Sequence, residues 1–148
     1  MQVIEGVRRS GVGIGREKTI RDAAEIMEHT GVGALAVVDG ERLLGIVTDR
    51  DLVRRGLAKG LPAEARVDSV MSAPVVTIGA EADLHSAFAL FRTNAVRRLA
   101  VVRGEQFVGM ITVDDFLIDL AADLTDLSRP VTAEVMFAHH DSSVSHVE

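Results

Sequence analysis

Gly45–Asp51 reads GIVTDRD, and 64 residues further on Gly109–Asp115 reads GMITVDD. In each stretch an apolar pair, Ile46-Val47 or Met110-Ile111, runs into a threonine, and an aspartate follows three residues later. An apolar run that ends in threonine just as a helical pattern begins is a strand delivering its end to a helix N-terminus. The unpaired N–H groups and the positive dipole end there attract anions. A carboxylate beside them accepts hydrogen bonds from hydroxyls, so phosphate and a ribose diol both suit the place. Thr-x-x-Asp is also close to a capping box, with threonine as the N-cap and the acid at the third helical position. One copy alone reads first as a cap; a second copy in register shifts the weight toward a ligand site.

The repeat extends well beyond the two motifs. Aligned without a gap, Val12–Val53 and Val76–Leu117 share 15 identities in 42 positions, where roughly three are expected from ordinary composition. This is an internal duplication. Each unit of about 60 residues buries too little surface to be stable alone, so the halves are expected to pack against one another about a pseudo-twofold axis, with equivalent clefts in pairs.

Each unit reads strand, helix, strand, strand, helix. Ser10–Gly15 (SGVGIG) alternates glycine with Val12 and Ile14, a strand with one bare face that something approaches closely. It lacks the full GxGxxG spacing of a Rossmann phosphate loop. Thr19 caps a helix whose apolar face is Ile20, Ala23, Ala24 and Met27. ALAVV (Ala34–Val38), the turn Asp39-Gly40 and LLGIV (Leu43–Val47) form a hairpin, and a second helix starts at Thr48 and ends near Gly56 or Gly60. After Gly60-Leu61-Pro62 and a short amphipathic piece (Val67–Met71), Pro74 opens the second unit. It comprises a strand at Val75–Ile78, a helix capped by Asp83, a hairpin of Leu99–Val102 and Phe107–Ile111 turning at Arg103-Gly104, and a helix from Thr112. The expected division is 7–60 for the first repeat, 61–66 for a linker, 67–127 for the second repeat and 128–148 for a tail.

Composition bounds the function. The chain has 148 residues, 47% of them hydrophobic, with no cysteine and a formal charge of −6. The absence of cysteine excludes disulfides, thiolate chemistry and cysteine-based zinc sites and agrees with a reducing compartment. No run is long enough to span a membrane and the N-terminus lacks a signal peptide's apolar stretch, so the expected location is cytoplasmic. Residues 67–148 hold 5 basic and 12 acidic side chains, and there is no tryptophan or tyrosine to stack on bases. Such a chain is ill suited to long nucleic acids, while a single mononucleotide remains compatible. His139, His140, Asp141 and His146 are ligand types for a metal, but adjacent histidines diverge and no fourth spaced ligand follows, so no metal is expected. No nucleophile–base–acid set is found either: His85 and Ser86 are helix neighbours, which diverge, and the chain does not read as an enzyme.

The duplicated unit, the LAVV–turn–G-h-h-T-x-x-D pattern in both copies and SVMSAPVVTI (Ser69–Ile78) resemble the tandem cystathionine-β-synthase (CBS) domain pair, or Bateman module, over Val7 to Leu127. The resemblance implies an α+β fold of two stacked βαββα units about a pseudo-twofold axis. It also implies up to two clefts for adenosine-containing ligands such as AMP, ADP, ATP or S-adenosylmethionine, and a free-standing regulatory module that requires no cofactor and is commonly a dimer. Carried over by position, Asp115 would hold the ribose hydroxyls, Thr112 would face ribose or phosphate, and Met110 would lie beside the base. Val12 and Val32 would close that cleft, and Arg97 and Arg98 occupy positions of phosphate contacts in some relatives. In the related cleft the roles fall to Asp51, Thr48, Ile46, Val76 and Val96. Two departures stand out: Ala36 and Ala100 replace a common proline, and GVRRSG (Gly6–Gly11) replaces the usual entry to the first unit.

Two functions follow as expectations: a nucleotide-sensing module that passes its state to an unidentified regulated protein, or a structural dimerisation module whose clefts are empty and whose Thr-x-x-Asp pairs are only caps. In either case a homodimer is expected. The first repeat has Gly33-Ala34 where the second has Arg97-Arg98, so the Asp115 cleft is expected to prefer phosphorylated ligands over the Asp51 cleft.

Overall fold

A computed structural model describes residues 2–3 and 11–128. It has two compact units, Met1–Thr112 and Val113–Glu148. In the first, local signals set the elements. Thr19 caps α1 (Ile20–Thr30) through a reciprocal capping box with Asp22, and Gly31, at φ 72°, ends it in the left-handed conformation that glycine adopts without strain. Strand β1 (Gly13–Gly15) runs parallel to β2 (Ala34–Asp39), which forms a hairpin with β3 (Arg42–Thr48). The hairpin loop is Gly40-Glu41, one residue later than the expected Asp39-Gly40, because Asp39 still pairs with Arg42. From Thr48 the chain enters α2 (Asp49–Asp51), which widens into a π turn (Leu52–Gly56) and tightens to a 3-10 turn (Leu57–Lys59) before Gly60 closes it at φ 72°.

The second half repeats this order with β4 (Thr77–Gly79), α3 (Leu84–Asn94) capped by Asp83, β5 (Arg98–Arg103) and β6 (Gln106–Thr112). Its hairpin turns at Gly104-Glu105, again one residue beyond the expected place. Even the bulges correspond, falling at Val37/Val38 and Val101/Val102. The second unit contributes one helix among the described residues, α4 (residues 113–128), along which Leu117, Ile118, Leu120, Leu124 and Leu127 are exposed.

All six strands join in one sheet, ordered β1-β2-β3-β6-β5-β4, whose symmetry about the β3–β6 junction is the pseudo-twofold axis. At that junction Leu43 N–H donates to Glu105 O at 3.4 Å and Phe107 N–H donates to Glu41 O at 3.0 Å, each bond the image of the other under the repeat. The buried core obeys the same symmetry: Ile14 with Ile78, Ala23 with Ala87, Met27 with Phe91, Leu35 with Leu99, Val37 with Val101 and Val47 with Ile111. The fold is therefore α+β, built from βαββα repeats.

The segment leading into each half is docked on the other half. Val67 and Val70, at the start of the second repeat, are fully buried in the first half's core with Ile14, Met27 and Leu35. Val67 N–H donates to Lys18 O at 2.7 Å, and Arg66 bridges to Thr19. Val3, ahead of the first repeat, is also fully buried; its N–H donates to Ala82 O at 2.8 Å, and Gln2 bridges to Asp83. Asp68 reinforces the first docking, accepting from Arg66 Nη2 at 2.8 Å and from Arg16 Nε at 3.2 Å.

The Arg66 bonds, helped by Arg16, hold the Asp68 carboxyl below its ordinary pKa despite some desolvation. A carboxyl with a depressed folded-state pKa contributes stability that is present above its unfolded value and lost as pH falls through the folded value. Between about pH 5 and about pH 2 the wild type should lose more of its urea stability than Asp68→Asn does. Equal losses would show that these arginines do not stabilise the carboxylate. Val67→Ala should cost about 2 kcal/mol in urea unfolding and leave a single transition, since a residue that begins the second repeat completes the core of the first half. Two separated transitions in the wild type would contradict this coupling.

Candidate functional site

The first motif spans the end of β3 and the start of α2. Thr48 is the N-cap: its Oγ1 accepts from Asp51 N–H at 3.0 Å, and its own N–H donates to Asp51 Oδ2 at 3.0 Å. Asp51 is thus a cap, but a carboxylate has about four acceptor positions and this box uses only part of one side. Its Oδ1 lies 3.9 Å from Arg55 Nε, and the side chain keeps 16% of its surface open to solvent. Upstream, Ile46 exchanges backbone bonds with Ser72 at 3.0 and 2.8 Å. That approach needs Gly45, since a Cβ there would stand 2.7 Å from Met71 Sδ and 2.8 Å from Ser72 O. A Cβ at Gly11 would overlap the Phe107 ring, and one at Gly15 would stand 2.6 Å from Glu17 Oε1 at the end of a flexible side chain; Gly13, in the glycine-rich strand, has only ordinary contacts.

Four cations collect beside Asp51. Arg50, Arg54, Arg55 and Lys59 line with it a cavity of about 260 Å³, and Arg55 Nη1 also donates to Met71 O at 3.0 Å. By resemblance, basic phosphate contacts are expected only at Arg97 and Arg98. The signal for the others was present, since positions three, four and eight beyond an aspartate share its helix face. A second cavity of about 500 Å³ lies between α1 and α2, with Val32, Gly33, Asp49 and Leu52 in its wall. There Asp49 N–H donates to Gly33 O at 3.0 Å, and its carboxylate occupies the space beside Gly33 that a side chain would need.

On the second motif, Met110 and Thr112 lie on β6 opposite Ala100 and Arg98 of β5. Directly opposed residues share a sheet face, so Arg98 stands beside Thr112 where the first repeat sets Ala34 beside Thr48. Arg97 and Arg98 are both exposed. Val12 and Val76 hold equivalent places, their carbonyls accepting from Ala36 and Ala100 at 3.0 and 3.1 Å. Val12 and Val32 pack, half-buried, against the first half's core. Val96 is half-buried and its N–H donates to Phe91 O at 3.3 Å. Asp115 lies in α4, half-buried, at the repeat position of Asp51. Among the described residues no group of three or more His, Asp or Glu is placed to hold a metal, and His139, His140, Asp141 and His146 lie outside them. No described helix is long and apolar enough to cross a membrane.

A family model described as the CBS domain matches residues 7–58 and again 67–122. The chain belongs to the CBS-domain family. It is 32% identical over 128 residues to the Bacillus subtilis protein YlbB, covering 81% of this chain and 86% of that one. The crystal structure of Hypoxic Response Protein I with two coordinated zinc ions is similar at a TM-score of 0.70 and 29% identity, over 79% of this chain and 97% of that one. A CBS domain protein from Pyrobaculum aerophilum, complexed with AMP, shares the fold at a TM-score of 0.70 and 23% identity, over 82% and 99% of the two chains.

The docked segment at Gly45 yields a test of this geometry. Gly45→Ala should cost about 1–3 kcal/mol by overpacking Met71 and Ser72. Gly79→Ala has open space around its Cβ and should be neutral or stabilising by up to about 1 kcal/mol. Urea midpoints of the two variants check the contrast; a neutral Gly45→Ala would contradict the close packing beneath the motif.

Proposed function

We propose that this CBS pair is a non-enzymatic regulatory module that takes an adenosine-containing ligand, AMP, ADP, ATP or S-adenosylmethionine, and passes the bound state to a partner protein as a self-associated dimer. The observation that carries the reading is Asp51, a carboxylate fixed by its capping box at the end of β3, still open to solvent and flanked by cations. A diol presented there would meet a pre-oriented acceptor, and phosphates would meet arginine. AMP bound to a protein of this fold agrees with such a ligand. In this reading Asp51 and Asp115 take the ribose hydroxyls, and Thr48 and Thr112 face the ribose or phosphate. Ile46 and Met110 lie beside the base, and Val76 and Val96, or Val12 and Val32, complete the walls. Arg98, beside Thr112, contacts phosphate, with Arg97 next to it. The repeats are taken as 7–60 and 67–127. A ligand acts on a partner only through the difference in its affinity for two states of the module.

The reciprocal capping box also favours a second reading, a structural module in which both aspartates only cap helices. Thermal denaturation and titration calorimetry separate the two. A nucleotide at about 100 times its dissociation constant adds about 2.7 kcal/mol and raises the melting temperature by several degrees. Asp51→Asn or Asp115→Asn should cost at most about 1 kcal/mol of stability. Each should weaken binding at its own site about ten-fold or more, because charged hydrogen bonds are worth roughly 1.5–3 kcal/mol. Arg98→Ala should weaken AMP more than adenosine, by a margin that shrinks with salt. The absence of any shift with millimolar AMP, ADP, ATP and S-adenosylmethionine would favour the structural module.

A further inference from the structure

Strand β1 lies at one end of the sheet and, among the described residues, pairs with β2 alone. Val12 O accepts from Ala36 N–H and Arg16 N–H donates to Val38 O, so residues 12, 14 and 16 turn their backbone groups toward β2. By the alternation of a strand, Gly13 and Gly15 turn theirs away from it. Gly15 O is taken by Lys18 N–H at 3.0 Å, while Gly13 N–H, Gly13 O and Gly15 N–H have no partner among the described residues. Sheet edges are commonly guarded by proline, by a charged side chain or by a bulge. Here the two outward-turned residues are glycines, and no atom stands closer than 3.7 Å to a Cβ built on Gly13.

Along this edge runs a groove of about 590 Å³, whose far wall includes Lys18, Glu25, Ile26 and His29. Because β1 and β2 are parallel and α1 joins them, α1 runs back past β1. Lys18 therefore stands at the Gly15 end, and Glu25 and His29 lie toward the Gly13 end. Lys18 and Glu25 are exposed, and neither makes an ion pair or side-chain hydrogen bond among the described residues. They are separated by roughly 10 Å along the helix, too far for a single amino acid to bridge. An extended chain fits, since its residues i and i+4 share a face about 13 Å apart, within reach of two long side chains. The opposite edge of the sheet differs: the repeat positions of Lys18 and Glu25 are Ala82 and Ala89, and Ala82 O accepts from Val3 N–H. The charged lip belongs to the β1 edge alone.

We infer that this edge docks an extended segment of a partner protein, which adds as a strand antiparallel to β1 and carries a carboxylate followed four positions later by a cation. Antiparallel pairing is the more stable per residue, and it brings the earlier residue of the segment to the Gly15 end. The acid then meets Lys18 and the base meets Glu25, while an apolar residue on the same face covers the half-buried Ile26. Main-chain bonds to Gly13 and Gly15 supply the attachment, and the two charges set direction and register. The surface uses none of the residues assigned to the nucleotide clefts and stands or falls separately from them.

Fluorescence polarisation with the labelled peptide Thr-Glu-Thr-Val-Thr-Lys-Thr tests it, beside the charge-exchanged peptide Thr-Lys-Thr-Val-Thr-Glu-Thr. Threonine and valine favour the extended form, and the alternation puts Glu, Val and Lys on one face. The first peptide should bind saturably and at least about ten-fold tighter than the second at low salt, by a margin that shrinks as salt rises. In Lys18→Glu/Glu25→Lys, confirmed as folded by circular dichroism, the preference should reverse. N-methylation of alternate peptide amides reads the backbone: methylating one set should abolish binding, and methylating the other should leave it nearly unchanged. The lack of saturable binding by either peptide at about 1 mM would overturn the docking. So would an equal or inverted preference in the wild type, an unreversed one in the double variant, or equal effects of the two methylated sets. None of these outcomes bears on the nucleotide clefts, whose own readout is the thermal shift with AMP, ADP, ATP or S-adenosylmethionine.

Discussion

The exchange of lead-in segments between the halves is the constraint from which the rest of this structure follows. Each repeat is too short to close its own core, and Val67 and Val70 supply the missing apolar volume from the start of the other repeat. Val3 answers to the same pattern on the second half. The direct β3–β6 junction is slight by comparison, two backbone bonds at the hairpin ends. Because the exchanged segment continues as Met71-Ser72 along β3, it also fixes the strand that delivers Thr48 and Asp51. The candidate site and the joining of the halves therefore share one set of contacts, and a shift of one half against the other would be felt at the motif.

Capping and ligand contact are compatible in Asp51 because they use different lone pairs. The box with Thr48 orients the carboxylate in advance, so little side-chain freedom remains to be lost on binding. Whatever the clefts hold, the same bonds start the helix that carries Arg54, Arg55 and Lys59.

Duplication kept the backbone and released the surface. Core positions correspond almost pair for pair, since a change of volume there is felt across a packed interior. Exposed helix positions carry no such demand, and they have diverged to opposite charge. That divergence breaks the pseudo-twofold symmetry chemically while leaving it intact geometrically, and it distinguishes one end of the chain from the other for any partner.

The amino-acid sequence by itself determined the elements and the duplication. Caps at Thr19, Thr48 and Asp83, the left-handed glycines at 31 and 60 and the helix faces are local signals, each set by residues within a turn of one another. The hairpin loops fell one residue late because cross-strand pairing outlasted the turn residues, and β1 and β4 are shorter than their apolar runs. The tertiary structure alone decided which half receives Val67, why Gly45 and Gly11 must lack side chains, and that four cations surround Asp51. Docking of an irregular segment depends on where a distant core has room, and no local period in the chain records that.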